Sequence, residues 1–427
     1  MTLLLDVTYL VARRREPVLT GIDRVEYALA AWLCWEGADG HPDAGFLVND
    51  GAFPGVLSRA AMRRILARQA RQRGMQAQGT DQLAAVADWL ERSVADCGRA
   101  GAARLAASGR SVSRTWSTVG TYWLSLRARP LRAFLRAHPG GVDYVHASHR
   151  HLNRPELFAW IEDFDVRATM LVHDLIPITH PQFCSDSAVV SHHRKMATIG
   201  RLATRIAVNS HATAADVAHY LAQAGQVRNI PIDVHPLGAG AMPGLPQAQA
   251  AMGRRSAPGR RYFLCAGTLE GRKNVDFLLG LWRRLAREVR PADMPALILA
   301  GGRGWRCDTL LRDLDTMTDI GAHVLEVAGL NDAELAWLMD GAEAVLTPSF
   351  AEGYSLVPAE AMARGVPVIA SDIPVHREVL TAAHCRVVPL DADRWLEWLR
   401  SPPARPAMPV ETRDWAAFAG GLLQPHA

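Results

Sequence analysis

Apolar residues fall into short runs separated by longer stretches of helical spacing. Residues 3–7, Leu-Leu-Leu-Asp-Val, form the first run and read as an opening strand. A loop follows, and Thr20 or Gly21 then caps a helix in which Ile22, Val25, Leu29 and Trp32 share one face. Residues 46–49, 144–147, 205–210 and 232–238 read as further strands, as does the run from 168 toward the loop at 178. A helix starts at His211, behind Ser210 or Thr213. From Tyr262 the alternation restarts, with strands at 262–266, 296–300, 324–328 and 344–347. Between them lie helices at 275–289 and from Asn331 or Asp332 to Met339. Strands alternating with helices predict parallel sheets and an α/β class.

The pattern divides the chain. Residues 1–240 read as one Rossmann-like domain and 262–400 as another. Residues 241–261, rich in Gly, Pro, Ala and Gln, read as the linker between them. Residues 57–136 interrupt the first domain as an insertion rich in Ala, Arg and Leu, helical and broken at glycines. It carries fifteen arginines against Asp81, Asp88, Glu91 and Asp96, in a chain whose net charge is only +4. The ordinary account is a set of solvated helices. The functional one is a surface for anionic lipid, with Trp116, Tyr122 and Trp123 beside the arginines. Nucleic acid would also answer that charge, but it is not the expected partner.

Six scattered cysteines show no C-x-x-C and no metal-like spacing, which fits a reducing cytoplasm and no structural zinc. The first apolar run is too short to span a membrane and contains Asp6. The expected location is the cytoplasm, with peripheral contact to the inner face of the membrane. Lys195 and Lys273 are the only lysines among 47 basic residues. Where arginine replaces lysine so widely, a surviving lysine is a candidate for a site that needs a compact ammonium.

Residues 348–378 carry the most chemistry: strand end, loop, helix, turn, strand. Pro358 suits a first helical turn, Gly365 stops the helix, and residues 366–370 return as a buried strand. Glu352 and Glu360 frame the loop and helix start with seven residues between them. Free N–H groups at a helix start, with the helix dipole, make a seat for an anion. A carboxylate beside such a seat suits hydroxyls next to a phosphate, as in a sugar or a ribose. Alone, two glutamates near a helix end would be solvated residues.

The string E-G-Y-S-L-V-P-A-E-A-M-A-R-G-V-P-V-I-A-S-D resembles the E-x7-E segment of family 4 glycosyltransferases, which have the GT-B fold: two Rossmann-like doubly wound domains facing across a cleft, with a C-terminal helix crossing back. Residues 401–427 resemble that returning segment. The resemblance implies that Glu352 meets the donor sugar and Glu360 the nucleotide ribose. Backbone amides from Gly353 through Tyr354, Ser355 and Leu356 would face the diphosphate. Ser355 stands where a second glycine is common, and the loop proline is displaced to Pro358. G-T-L-E-G-R-K-N resembles the family's phosphate loop, so Lys273 and Arg272 would bind the diphosphate, with Glu270 structural. H-D-L-I-P-I-T-H-P resembles the segment of bacterial mannosyl- and rhamnosyltransferases whose histidine lies beside the donor sugar, here His173. T-G-I-x-R-V-E resembles an acceptor-side loop and marks Gly21. Gly301, Ala328 and Gly329 would form the base pocket through backbone contacts.

The resemblance implies a retaining hexosyltransferase like the bacterial polysaccharide mannosyltransferases. The leading donor is GDP-mannose, and the acceptor is a glycan or polyprenyl-linked oligosaccharide. No cofactor and no metal are expected, so side-chain cations would take the leaving-group charge. A nucleotide-sugar epimerase and a non-catalytic GT-B-like scaffold are the alternatives. A pyridoxal-phosphate phosphorylase is disfavoured, because Lys273 is better placed for phosphate than for a Schiff base.

Overall fold

The structure, a computed structural model, describes residues 2–14, 16, 19–51, 53–76, 81–92, 94, 101–105, 128–225, 228–240, 242, 259–407, 410 and 412–424. Two sheets organise it. The first contains β1 (Thr2–Asp6), β2 (Gly45–Val48), β3 (Gly55–Leu57), β5 (Arg129–Pro130), β6 (Val142–His146), β7 (Val166–Val172), β8 (Arg205–Val208) and β9 (Ile232–Val234). Their order is β5-β3-β2-β1-β6-β7-β8-β9. The run from β2 to β9 is parallel, while β3 and β5 close one edge antiparallel. The second sheet holds β4 (Ala103–Leu105), β10 (Tyr262–Ala266), β11 (Ala296–Ala300), β12 (Val324–Val327), β13 (Val345–Thr347), β14 (Val368–Ser371) and β15 (Cys385–Val388). It is parallel throughout, in the order β15-β14-β13-β10-β11-β12-β4.

Both sheets are doubly wound. The chain order reverses between β1 and β6 in the first and between β10 and β13 in the second. These reversals open crevices at the carboxyl ends of the strands, where open α/β sheets hold their ligands. The strands read as continuous apolar runs because helices cover both faces. Leu4, Leu5, Leu264 and Ile298 have no exposed surface.

The insertion does not behave as one unit of the first domain. Helix α2 (Arg59–Gln76) packs on α1 (Gly21–Cys34), with Met62 and Leu66 in that core. Arg63 ties it down by donating from Nε to the Cys34 carbonyl at 2.8 Å. Helix α3 (Asp81–Glu91) instead buries Leu83, Val86, Trp89 and Leu90 in the core of the second domain. The following strand β4 pairs with β12 and covers what would be an open edge. Of residues 57–136, the described ends pack on the first domain, while Asp81–Glu91 and Ala103–Leu105 join the second. The apolar stripe of α3 is a packing face. Trp116, Tyr122 and Trp123 lie outside the described residues, as does most of the linker. Among the described residues no helix is long and apolar enough to cross a membrane.

The last helix, α10 (Trp415–Leu423), returns to the first domain. Trp415, Phe418, Leu422 and Leu423 are buried with α1 in one core. Arg205 donates to the Leu422 carbonyl at 2.9 Å. Gly238 lets the two segments touch, since a Cβ there would lie 2.4 Å from the Trp415 nitrogen. The architecture is the expected one: two Rossmann-like domains facing across a cleft, with the final helix crossing back.

Candidate active site

The second-domain wall of the cleft is built at the reversal of its sheet. Strand β10 ends at Ala266 and leads into a 3-10 turn, Gly271–Lys273, while the neighbouring β13 ends at Thr347 and leads to Glu352. The two loops meet through one carboxylate. Glu352 accepts from Lys273 Nζ at 2.6 Å, Arg272 at 2.6 Å and the Ser349 hydroxyl at 2.7 Å. Burial alone would raise its pKa, but the Lys273 and Arg272 cations override it and hold the carboxyl well below the usual range. Arg272 is shared further. It donates to the Ala351 carbonyl at 2.6 Å and to Glu270 at 2.5 Å, so Glu270 does orient this loop. Asn274 ends the turn at φ 54° and donates to the Pro348 carbonyl at 3.1 Å. That cross-link fixes the two loops to each other.

Helix α8 (Leu356–Ala363) starts two residues earlier than the proline suggested, with Pro358 as its third residue. Its N-cap, Ser355, sits in the left-handed region at φ 68°. This explains why glycine is at home at that position. The serine hydroxyl meets His376 Nε2 at 2.9 Å, and His376 Nδ1 donates to the Ser371 carbonyl at 2.8 Å. The carbonyl requires a proton on Nδ1, so in the neutral ring Nε2 accepts from the serine. His376 has no exposed surface and serves as the clamp on the loop. The sequence reading of residues 348–378 gives it no role.

The opposing wall approaches closely. Gly353 lies against His173, where a Cβ would be 2.3 Å from the His173 carbonyl oxygen. The Gly353 carbonyl accepts from Ser210 at 3.0 Å and Thr213 at 3.3 Å, both at the start of α5 (His211–Gln223). Glu378 caps the same helix from the second domain, accepting from the His211 and Ala212 amides at 2.8 and 3.2 Å. Tyr354 donates to the Leu237 carbonyl at 2.8 Å. Gly21, the first residue of α1, faces Leu356 with room for a Cβ only 3.3 Å from its methyl. Gly21, Gly353, Tyr354, Ser355 and Leu356 thus meet at one place between the domains.

Glu360 is held from across the cleft. Arg24, on α1, donates to Glu360 and, at 2.6 Å, to Asp332 at the start of α7 (Asp332–Gly341). Burial raises the Glu360 pKa despite the arginine. Arg24 lay within the quoted T-G-I-x-R-V-E string but was not selected. Its fourth-residue offset from Thr20 puts it on the same helix start as Gly21, which is the signal that could have found it.

His173 is buried at the end of β7. Its Nε2 lies 2.6 Å from the Ala147 carbonyl and must donate there, leaving Nδ1 as the acceptor of the neutral ring. The expected base pocket shares its backbone with the inserted segment. The Ala328 amide donates to Leu105 at 3.2 Å, and its carbonyl accepts from Gln82 at 3.0 Å. Both backbone groups are therefore used by residues of α3 and β4. Gly301 packs on Gly267, where a Cβ would fall 1.9 Å from the carbonyl oxygen. Gly329, at φ 80°, stays at the corner leading to Asp332.

Residues 252–397 match the family described as glycosyl transferases group 1. The match falls on the second domain and takes in about a third of the chain. Over 132 residues the chain is 36% identical to the O-antigen chain mannosyltransferase B of Escherichia coli, covering 31% of this chain and 34% of that protein. It is 27% identical over 238 residues to the serotype-specific mannosyltransferase WbdA of Escherichia coli, covering 53% of this chain and 29% of the relative. The matched stretches thus span about a third of these relatives. Among solved structures, Anabaena Alr3699/HepE in complex with UDP and glucose is similar over 65% of this chain and 72% of that one, at 17% identity and a TM-score of 0.45. Besides Glu352, Glu360, Arg272 and Lys273, the matched stretch contains His376.

Proposed function

We propose that the chain is a retaining glycosyltransferase that moves a sugar, mannose from GDP-mannose in the leading version, onto a glycan or polyprenyl-linked acceptor. The observation that carries this reading is the Glu352–Arg272–Lys273 cluster at the sheet reversal, with His173 of the other domain beside Gly353. A donor diphosphate would take the two cations and the first amides of α8. Glu352, released from them in part, would accept from sugar hydroxyls, and His173 Nδ1 would accept another. Glu360 would exchange Arg24 for the ribose.

In the chemical step the bond between the anomeric carbon and the phosphate oxygen breaks. The acceptor oxygen bonds to that carbon from the same face, and its proton passes to the departing phosphate. Arg272 and Lys273 stabilise the charge that develops there. The mannosyltransferase relatives support the choice of sugar, and the cleft geometry supports a nucleotide donor. Peripheral attachment to an anionic membrane through residues 57–136 belongs to the same proposal, with its lipid-facing part restricted to the stretches outside 81–105.

The test is a panel of nucleoside diphosphates read by melting temperature, followed by nucleotide release from the matching donors with a lipid-linked acceptor. GDP is expected to raise the melting temperature most, and GDP-mannose to support release. No stabilisation by any nucleotide and no release from any donor would leave the scaffold alternative standing.

A further inference from the structure

The first sheet also has a reversal, between β1 and β6, and past the end of β6 lie groups that the reading above leaves unused. Past the end of β6 the chain runs Ala147-Ser148-His149, and His149 is held at φ 58°. Its ring lies 5.4 Å from the ring of His173 and 5.7 Å from that of His192. His192 and Lys195 sit one turn apart on α4 (Asp186–Leu202). His149 is 7% exposed and His192 6% exposed, yet the Nε2 atom of each is buried with no hydrogen-bond partner among the described residues. Lys195, one of two lysines in the chain, is half-buried and feels the carboxylate of Asp174.

A folded protein seldom leaves buried polar nitrogens unanswered, because each forfeits the hydrogen bonds it made to water. Two such atoms in adjoining rings, one of the rings next to the cleft histidine and past the carboxyl end of a strand at a sheet reversal, mark a place where a ligand supplies the missing partners. Burial holds both imidazoles below their usual pKa, so they are neutral at pH 7, and the ammonium of Lys195 is offset by Asp174. The cluster is therefore not an anion seat. It offers neutral donors and acceptors in turn, which is the chemistry of a ring of hydroxyls.

We propose that His149, His192 and Lys195 form a subsite for an uncharged pyranose, the terminal sugar of the acceptor, next to the donor sugar at His173. The identity of that sugar as acceptor rests on the glycosyltransferase reading, but the sugar-binding role of the subsite does not.

The experiment compares the wild-type chain with His192→Asn, Lys195→Met and Lys195→Arg. Saturation-transfer NMR titrates methyl α-mannopyranoside, with mannose 6-phosphate as the charged counterpart, and the GDP-induced rise in melting temperature is recorded in parallel. The inference expects the glycoside to bind at least tenfold more weakly to His192→Asn and Lys195→Met, with recovery in Lys195→Arg and an unchanged response to GDP. Equal glycoside affinity in all four proteins would overturn it. So would a wild type that does not bind the glycoside, or one that prefers mannose 6-phosphate through these same residues. A wild type without a GDP response but with the glycoside pattern intact would remove the glycosyltransferase reading and keep the subsite.

Discussion

Glu352 and Glu360 have seven residues between them, are similarly buried, and are each met by arginine. Their partners differ in origin. Glu352 is met by Arg272, Lys273 and Ser349, all from its own domain. Glu360 is met by Arg24, which comes from the other domain. The consequence is opposite electrostatics: the Glu352 carboxyl is held far below its usual pKa, and that of Glu360 is raised. One carboxylate is preorganised whatever the domains do. The other depends on the cleft being closed. A site that admitted a donor and released a nucleotide, as proposed, would need both kinds.

The largest expected effect comes from neutralising the preorganised member. Glu352→Gln keeps the size and an acceptor oxygen but leaves Arg272 and Lys273 with no charge between them. Turnover is expected to fall about 100-fold, some 2.7 kcal/mol of transition-state stabilisation, with little change in nucleotide affinity. A fall in nucleotide affinity as large as the fall in turnover would place this glutamate with the phosphates instead.

Much of this comparison was legible in the sequence and part of it was not. The strands, the two-domain division and the loops bearing Arg272, Lys273 and Glu352 follow from local pattern, because apolar runs and glycine breaks are local causes. The Arg24–Glu360 pair spans more than three hundred residues, and nothing local announces it. That α3 and β4 belong with the second sheet was hidden for a similar reason. An amphipathic helix shows that it has a face to bury, but not against which core. Ser355 shows the reverse case: its departure from glycine was visible, and the structure supplies the reason, a left-handed cap clamped by His376.

Arg24→Ala probes the contingent half of the comparison. Both side chains of the pair are 12% exposed, so removing the arginine leaves Glu360 without its cation across the interface. Opening of the cleft lets water reach the carboxylate and limits the cost to about 2 kcal/mol. A lower melting temperature and a larger radius of gyration by X-ray scattering are expected in the empty protein. An unchanged radius would mean that the remaining contacts, such as Tyr354 with Leu237, hold the domains without it.

Glu360→Ala is expected to act on binding. If the ribose replaces Arg24 on this carboxylate, its loss weakens nucleoside diphosphate binding about tenfold, or about 1.4 kcal/mol. Calorimetric titration reads this directly. Equal affinity in wild type and variant would sink the ribose assignment and leave Glu360 as an interdomain strut.

The smallest effect separates these two carboxylates from a third that never leaves the core. Glu26 is fully buried on α1, accepts from the Leu10 amide at 2.6 Å, and has its pKa raised well above 4.5 by burial and by nearby Asp6. A carboxyl whose folded pKa is raised binds its proton more tightly than in the unfolded chain. Its contribution is complete below the unfolded value and is lost as pH rises through the folded one. Glu26→Gln keeps an oxygen for Leu10 and cannot ionise. The variant is therefore expected to gain about 1 kcal/mol over wild type at neutral pH, and the gain should vanish near pH 4. Parallel stability profiles from pH 4 to 8 would show that Glu26 is ionised and paired in the folded protein. The contrast among the three carboxylates would then rest on their partners alone and not on burial.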